Sequence, residues 1–320
     1  MLAVVGAESG STSPTRGKQL KVGLVGSSFS EGDPIQRDAI AGLRRAVSEL
    51  GVTARVRTPT PREGFAASYA AFAAQRYDLV IGMALNAFAI ERVAPRSRRV
   101  RFAALDLSRT VFPNPPPNLT GLVFRRQEAG YLAGYLAGLV EQRRPGRDVV
   151  SAIGGERQPG VDGWVAGFRA GAKRAAPGIR FLYSYSHTYT AKEACAAIAS
   201  NQIAKGSGVV FSVAGICGIG GLQTAARRHV WGIGVDRDQS SLGPHILTSA
   251  VLHVGVGVLR AIRALSQGRY RNGVDMEFGL KEGGVGLGRV SPRIPRSFRA
   301  SLARTRRQIV SGKIVVPATL

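Results

Sequence analysis

Cysteine, histidine, acidic residues and long apolar runs are all scarce in this sequence. Its 320 residues include two cysteines, four histidines and 20 Asp and Glu against 44 Lys and Arg. No apolar run reaches the ~18 residues that a membrane-spanning helix needs. The two cysteines, Cys195 and Cys217, are too few for a zinc site of the usual spacing. We therefore expect neither a bound metal nor any other cofactor.

Catalytic motifs are also missing. The histidines have no acid or nucleophile at a useful spacing, and neither Gly-x-Ser-x-Gly nor His-Glu-x-x-His occurs. Cys217 stands near the start of an expected helix, where its pKa would fall, but the sequence offers it no neighbouring base. We therefore predict that the chain is not an enzyme.

The excess of basic residues, +24 in formal charge, dominates the composition. The arginines form separate clusters at 96–101, 143–147 and 304–307, without a basic helix, a zinc motif or the aromatic motif of RNA-binding domains. We expect no specific nucleic-acid partner. A weak contact with an anionic envelope surface and a solvated surface without a partner both stay open.

The first 19 residues have the composition of a terminal extension rather than of a folded domain. Met1–Ala7 is apolar but too short for a signal peptide or a span. Glu8–Gly17 is small and polar, as flexible linkers are. We expect residues 1–19 to form a flexible stub, and the sequence to begin at the tail of a membrane segment.

From Leu20 onward, short apolar strands alternate with helical patterns. Lys21–Gly26 has the pattern of a buried strand, and Ile35–Leu50 has a helical period that ends at Gly51. The alternation continues in two series, which is typical of βαβ units with parallel sheets. We predict an α/β fold of two Rossmann-like lobes, with parallel sheets flanked by helices and three crossover segments between the lobes.

The crossovers are expected near 122–125, 248–251 and 280–284. This division gives a first lobe of residues 20–123 plus 251–283 and a second lobe of residues 124–250 plus 284–320. A ligand cleft would lie between the two lobes.

Two expected strands end abruptly on a carboxylate. Trp231–Val235 runs into Asp236, and Phe102–Leu105 runs into Asp106. Ligands of open α/β sheets bind just beyond the carboxyl ends of the strands, so the two acids are candidate ligand residues that face each other across the cleft. Each could instead cap the next helix or pair with a nearby arginine.

A glycine-rich run, Gly215–Gly221, is expected to be a loop that opens the next helix. It lacks the Lys of a P-loop and the acidic residue of a dinucleotide site, so we expect it to admit a ligand or the other lobe. Cys195, early in the preceding helix, would lie at the same edge of the sheet as Cys217. A disulfide and two inert thiols both stay open.

Taken together, the segments of this chain resemble the basic membrane protein family over about residues 20–316. The most specific matches are KVGLV (21–25), YDLVIGMA (77–84), GLVFRRQEAGYLAGYLAGL (121–139), IGVDRDQ (233–239) and GLKEGGVGLG (279–288). Members of that family are extracytoplasmic solute receptors of ABC transporters with a type I periplasmic-binding-protein fold. They include purine nucleoside receptors.

The resemblance implies two lobes that close on a nucleoside. It implies that Asp236 accepts hydrogen bonds from ribose hydroxyls and that Asp106 holds the ligand from the first lobe. It further implies that Phe211 stacks on the base and that Lys281 donates to the ligand from a crossover.

The resemblance also implies backbone contacts, and it is imperfect in the first loop. Gly215 and Gly218 would let the backbone approach the ligand. Where the family usually has Phe and Asn before the first helix, this sequence has Ile35 and Gln36. An aliphatic contact would replace one ring of an aromatic sandwich, while Gln36 keeps an amide with a longer reach.

The replacement of the family's Phe by Ile35 leaves one side of the ligand without an aromatic ring. That ring would have to come from Trp164 or Phe29. The N-terminal lipidated cysteine that anchors family members is absent from this sequence. We therefore expect either a sensor domain fused to an upstream membrane-anchored module or a truncated secreted receptor.

The leading hypothesis is an extracytoplasmic, membrane-associated solute-binding protein of an ABC transporter. It would bind a nucleoside or a related small polar ring compound as a monomer and pass it to a permease. The alternative is a ligand-sensing regulatory domain, similar to the effector domains of lactose-repressor-type regulators. A cleft enzyme such as a nucleoside hydrolase is disfavoured, because no acid–base pair is evident.

Overall fold

Two six-stranded sheets form the centre of the structure. The computed structural model describes residues 19–26, 33–59, 64–146 and 148–320, except for the side chains of Ala84 and Leu85. The expected stub before residue 19, the first loop up to residue 32 and the candidate ring Phe29 lie outside the described residues.

All strands of the first sheet are parallel. They are β1 (Lys21–Val25), β2 (Thr53–Arg57), β3 (Leu79–Met83), β4 (Arg101–Leu105), β5 (Leu119–Phe124) and β11 (Asp275–Phe278). Their spatial order is β11-β5-β4-β3-β1-β2. The carboxyl ends of these strands therefore meet at one edge.

The second sheet has the same plan, except for the direction of one strand. Its strands are β6 (Val149–Gly154), β7 (Arg180–Tyr185), β8 (Val209–Val213), β9 (Trp231–Asp236), β10 (Ile246–Leu252) and β12 (Val285–Leu287), in the order β12-β10-β9-β8-β6-β7. The last of its strands along the chain, β12, runs antiparallel to its neighbour β10. The predicted fold class, an α/β protein with two mostly parallel sheets, is confirmed.

Helices flank both sheets. They are α1 (Pro34–Leu50), α2 (Gly64–Ala74), α3 (Ile90–Val93), α4 (Arg126–Glu141), α5 (Pro159–Ala175), α6 (Lys192–Ala204), α7 (Gly215–Arg227), α8 (Val254–Ser266) and α9 (Arg296–Val310). None of the helices in the described ranges is long and apolar enough to cross a membrane. The first lobe below means the first sheet with α1, α2, α3 and α8; the second lobe means the second sheet with the other helices.

One predicted loop is wrong: Gly215–Gly221 forms the first turns of α7. Glycine is a poor helix former, but here close packing outweighs that preference. A Cβ at Gly220 would overlap the carbonyl of Lys192 on α6, and a Cβ at Gly218 would lie 3.3 Å from the Cβ of Ser212 on β8. The small residues are therefore needed to bring α7 against its neighbours.

The chain passes between the sheets at three places. β5 of the first sheet leads into α4, β10 of the second leads into α8, and β11 leads into β12. These passages coincide with the expected crossovers. Three short segments that join the same two lobes are suited to act as a hinge.

A disulfide joins Cys195 on α6 to Cys217 on α7, with the Cα atoms 5.5 Å apart. Both cysteines are fully buried beside Ile153, Ala199 and Val210. The alternative of two inert thiols is thereby excluded. Persistent disulfides are typical of oxidising compartments.

Removal of this disulfide is expected to lower stability. The bridge spans 22 residues, and loops of that size correspond to about 3 kcal/mol of unfolding free energy. We expect the double variant Cys195→Ala/Cys217→Ala to lose that amount in guanidinium denaturation. Reduced wild type should match the double variant. An unchanged midpoint after reduction would contradict a stabilising bridge.

Candidate functional site

The two strand-end aspartates share an unusual backbone conformation. Asp106, directly after β4, has φ of 70°, and Asp236, at the end of β9, has φ of 67°. Residues with a side chain rarely adopt this left-handed region, and such strained positions cluster at ligand sites. The conformation turns each aspartate away from its strand at the carboxyl edge of its sheet.

The sequence after Asp236 explains how this turn is held. The side-chain oxygen of Gln239 accepts a hydrogen bond from the backbone of Val235 at 3.0 Å, and the backbone of Gln239 donates to Ser249 Oγ on β10 at 3.0 Å. Gln239 is itself buried. The Gln of the IGVDRDQ segment therefore fixes the strand end that presents Asp236.

Arg126, the first residue of α4, links the two aspartates, and sequence reasoning missed it. Its guanidinium forms an ion pair with Asp106 Oδ2 across the two lobes. Its Nη1 also lies 3.4 Å from where a Cβ on Gly160, in the first turn of α5, would be. Asp106 thus pairs with Arg126 and not with Arg109, whose Nη2 donates to the Pro115 carbonyl at 3.2 Å.

Electrostatic coupling shows that these groups lie close together. Burial raises the pKa of Asp236 to about 6; Arg126 lowers it, and the nearby carboxylates of Asp106 and Asp33 raise it. Burial also raises the pKa of Asp106, and Arg126 opposes that rise. The two strand-end carboxylates therefore lie within electrostatic reach of each other and of Arg126, and their contact with a ligand stays a prediction.

The second carboxylate oxygen of Asp106, Oδ1, is buried and has no hydrogen-bond partner among the described residues. A buried acceptor without a donor costs about 1–3 kcal/mol. A ligand that supplies a hydroxyl or N–H at this point would remove that cost. This oxygen is therefore a candidate contact atom.

The start of α1 borders the same cluster from the first lobe. Asp33 caps α1 by accepting a hydrogen bond from the backbone of Ile35 at 2.9 Å. Ile35 is half-buried against the core, and Gln36 is buried with its Oε1 close to Gly26. Ile35 and Gln36 thus lie at the carboxyl edge of β1, whereas Asp33, which was not predicted, is the residue whose charge reaches Asp236.

Phe211 does not line the cleft. It is fully buried in the middle of β8, and its ring lies 5.0 Å from the ring of Phe168 on α5. Its role is therefore corrected to core packing, because a ring without exposed surface offers no face to a base. Trp164 is also buried, on the side of α5 that packs against α4.

Tyr189 is an aromatic residue at the carboxyl edge of the second sheet that was not predicted. It is half-buried, and its ring lies on Gly155, just after β6, and near Gly215 at the start of α7. Gln158 donates a hydrogen bond to its hydroxyl. Its position in the sequence, between the end of strand β7 and the start of helix α6, is the pattern from which it could have been predicted.

The two predicted glycines differ in their surroundings. Gly215 is exposed at the start of α7 with φ of 56°, a conformation that favours glycine. Gly218 is buried against Ser212 of its own lobe. Of the two, only Gly215 has backbone at the carboxyl edge of the sheet that a ligand can approach.

Lys281 is exposed in the turn between β11 and β12. The turn is anchored on both sides: Glu128 of α4 accepts a hydrogen bond from the backbone of Leu280 at 2.7 Å, and Arg306 of α9 donates to the Leu280 carbonyl at 3.0 Å. The lysine is thus carried by a fixed crossover. Its contact with a ligand stays a prediction.

Comparison with known proteins adds sequence relatives. A family model described as ABC transporter substrate-binding protein PnrA-like, Bmp, matches residues 19–319. Basic membrane protein A of Borreliella afzelii is 30% identical over 231 residues, which cover 70% of this chain and 69% of that protein. A CD4+ T-cell-stimulating antigen of Listeria monocytogenes is 29% identical over 259 residues, covering 75% of this chain and 70% of that protein.

Solved structures with this fold include transporter and regulatory proteins. An ABC transporter solute-binding protein of Conexibacter woesei has a TM-score of 0.72 at 24% identity, covering 93% of this chain and 99% of that one. A transcriptional activator of the comK gene from Bacillus halodurans has a TM-score of 0.76 at 19% identity, with the same two coverages. At these identities the likeness establishes the fold alone.

Proposed function

The chain belongs to the PnrA-like (Bmp) family of ABC transporter substrate-binding proteins, and from this membership we propose that it binds a nucleoside, or a related small polar ring compound, in the cleft between its lobes. The family consists of solute-binding proteins, so the predicted absence of enzymatic activity is confirmed. Membership favours transport over the regulatory alternative.

The observation that carries the proposal is the cluster of Asp106, Arg126 and Asp236 at facing strand ends. Carboxylates accept hydrogen bonds and do not donate them when ionised. Asp236, together with the unpartnered Oδ1 of Asp106, suits a ligand that offers several O–H or N–H donors. The hydroxyls of a ribose and the amide of a base provide such donors.

Tyr189 supports the ring-shaped part of the ligand. Stacking of a nucleobase on an aromatic side chain contributes ~1–3 kcal/mol. The ring packs on Gly155 and lies near Gly215, at the edge of the sheet where we propose that the base binds. Tyr189 thus takes the role that the family resemblance had assigned to Phe211.

We further propose an extracytoplasmic location and an ABC permease as the partner. The protein would act outside the cytoplasm as a monomer, consistent with the buried disulfide. Closure of the lobes about the three crossovers would present the loaded protein to an ABC permease. Lys281, on one of these crossovers, would contact the ligand as the lobes close.

A thermal-shift screen tests the proposal. A ligand that binds only the folded state adds about 2.7 kcal/mol of stability at a concentration 100 times its Kd. We expect nucleosides to raise Tm more than free bases, monosaccharides or amino acids do. If another compound class shifts Tm and no nucleoside does, the nucleoside proposal fails.

Ligand affinity should depend on pH through Asp236. Its pKa in the ligand-free protein is about 6, and protonation turns one carboxylate oxygen from an acceptor into a donor, so the ionised form suits ligand hydroxyls better. Affinity should therefore be about tenfold weaker at pH 5 than at pH 7.5. Calorimetric titration at both pH values measures this, with circular dichroism as the control for folding. An unchanged Kd would show that the ligand does not need the Asp236 carboxylate.

A further inference from the structure

Helix α2 is rich in alanine, and among the residues that the structure describes it packs against the core on one side. Tyr69 and Phe72 face the core, whereas Ala67, Ala70 and Ala74 are exposed. A helix that is apolar all round is ordinarily buried. The exposed alanines therefore form a surface that is unusual for a helix in contact with water alone.

These alanines form one wall of a groove with a volume of about 1140 Å³. The opposite wall is the segment 92–100, which contributes the apolar side chains of Val93, Pro95 and Val100. The arginines that line the groove are Arg76, Arg92, Arg96, Arg98 and Arg99, and all of them are exposed. Asp78 is the acidic residue in the lining, and it accepts a hydrogen bond from the backbone of Lys21.

The arginine-bearing wall has a fixed shape. The side-chain amide of buried Asn118 donates to the carbonyls of Ala94, Ser97 and Val100, at 3.2, 3.2 and 2.8 Å. The turns between α3 and β4 are thereby tied to the start of β5. The fold therefore fixes the backbone positions from which these arginine side chains extend.

The groove lies away from the ligand cleft. Arg76 precedes β3, and Arg96, Arg98 and Arg99 precede β4, whereas the cleft is at the carboxyl ends of the same strands. A five-residue strand separates the two edges by about 17 Å. A partner can therefore occupy the arginine edge while the cleft stays open to solvent.

We propose that this groove docks on the surface of an anionic phospholipid membrane. Arginine binds phosphate in a bidentate manner, and a cluster of four to eight basic residues is the usual size for attachment to anionic lipids. The alanine wall and Pro95 would contact the interfacial region of the bilayer, as the apolar side of an interfacial helix does. Alanine side chains offer a base neither a hydrogen-bonding group nor a ring to stack on, so this wall suits lipid better than nucleic acid.

Vesicle sedimentation at physiological salt tests the proposal. The test variant is Arg92→Gln/Arg96→Gln/Arg98→Gln/Arg99→Gln, and the control, Arg228→Gln/Arg296→Gln/Arg304→Gln/Arg307→Gln, removes the same charge from exposed arginines of the second lobe. Each basic residue near an anionic surface contributes about fivefold to partitioning. On phosphatidylglycerol vesicles we expect the test variant to lose about 100-fold or more, and the control to stay within about fivefold of wild type.

A second pair of variants tests the apolar wall. Ala70→Glu places a carboxylate in the groove, whereas Ala303→Glu places one on the exposed side of α9. The first should weaken binding to anionic vesicles about tenfold or more, and the second should have a much smaller effect. Phosphatidylcholine vesicles should bind none of the proteins strongly.

Two results would overturn the proposal. Equal losses in the two quadruple variants would mean that net charge alone drives the contact. Failure of wild type to bind anionic vesicles would exclude a membrane. If wild type then bound an acidic helical peptide, the groove would be a protein-docking surface instead. The thermal shift caused by a nucleoside should be the same in the groove variants as in wild type, so this test and that of ligand binding are independent.

Discussion

Asp236→Asn is expected to abolish ligand binding and, at the same time, to stabilise the ligand-free protein. The variant keeps the size of the side chain but loses the carboxylate that is proposed to accept ligand hydroxyls. Truncating one partner of a buried charge-assisted contact costs 2–5 kcal/mol of binding free energy, or roughly 30- to 5,000-fold in Kd. Calorimetric titration measures this loss.

The gain in stability follows from the pKa of Asp236. Its pKa of about 6 in the folded protein lies above the ordinary value of 3.8 because burial disfavours the charge. Its favourable contribution is thus fully present below pH 3.8 and is lost as the pH rises through 6. At pH 7.5 the ionised side chain costs on the order of 1–3 kcal/mol, and Asn removes that cost. The expected rise in Tm is roughly 2–6 °C.

A matched control separates the site effect from a change of net charge. Glu193→Gln removes one negative charge from an exposed position in the first turn of α6, and it should leave both Kd and Tm close to wild type. The Tm gap between Asp236→Asn and wild type should close as the pH falls to 4. If Asp236→Asn binds the ligand as wild type does, Asp236 is not a ligand residue.

Arg126→Glu is expected to be the most destabilising change in the cleft. It replaces the cation beside Asp106 with a carboxylate that adds to those of Asp33, Asp106 and Asp236. Leaving a buried charge uncompensated costs about 3–5 kcal/mol. Arg126 and Asp106 each keep a side-chain exposure of 18%, so the lower end of that range is expected. Guanidinium denaturation at pH 7.5 measures the loss.

Two further measurements show whether electrostatics cause this loss. Arg126→Gln should lose less than Arg126→Glu, because it removes the cation without adding an anion. The stability of Arg126→Glu should recover towards that of wild type as the pH falls and the carboxylates become protonated. Arg169→Glu, at an exposed position of α5, is the charge-matched control. A pH-independent loss would point to disturbed packing rather than to charge.

The sequence predicted the strand-end acids because a parallel strand that stops on a carboxylate has a known place at the edge of its sheet. Asp106 and Asp236 therefore needed only the alternation of strands and helices. Arg126 could not be predicted in this way. Its role depends on a crossover that brings the start of α4 to the end of β4, and no local pattern marks that contact.

The sequence-based assignments of Phe211, Gly215–Gly221 and Tyr189 were wrong or missing, each for a different reason. Phe211 was assigned to the ligand from the family resemblance, but in this chain it is buried in mid-strand against Phe168 of α5. The Gly215–Gly221 run was predicted to be a loop from intrinsic propensity, which close packing against α6 and β8 overrides. Tyr189 was missed because its contacts with Gly155 and Gly215 join residues distant in sequence.

The most direct test compares a ribonucleoside with its 2′,3′-dideoxy analogue by calorimetric titration into wild type and Asp236→Asn. If Asp236 and Asp106 hold the ribose, the ribonucleoside should bind wild type with one site per chain. The analogue should bind at least about tenfold more weakly, because it lacks the hydroxyls that the carboxylates accept. The Asp236→Asn variant should bind neither compound measurably. Equal binding of both compounds, or binding that survives in the variant, would contradict the account.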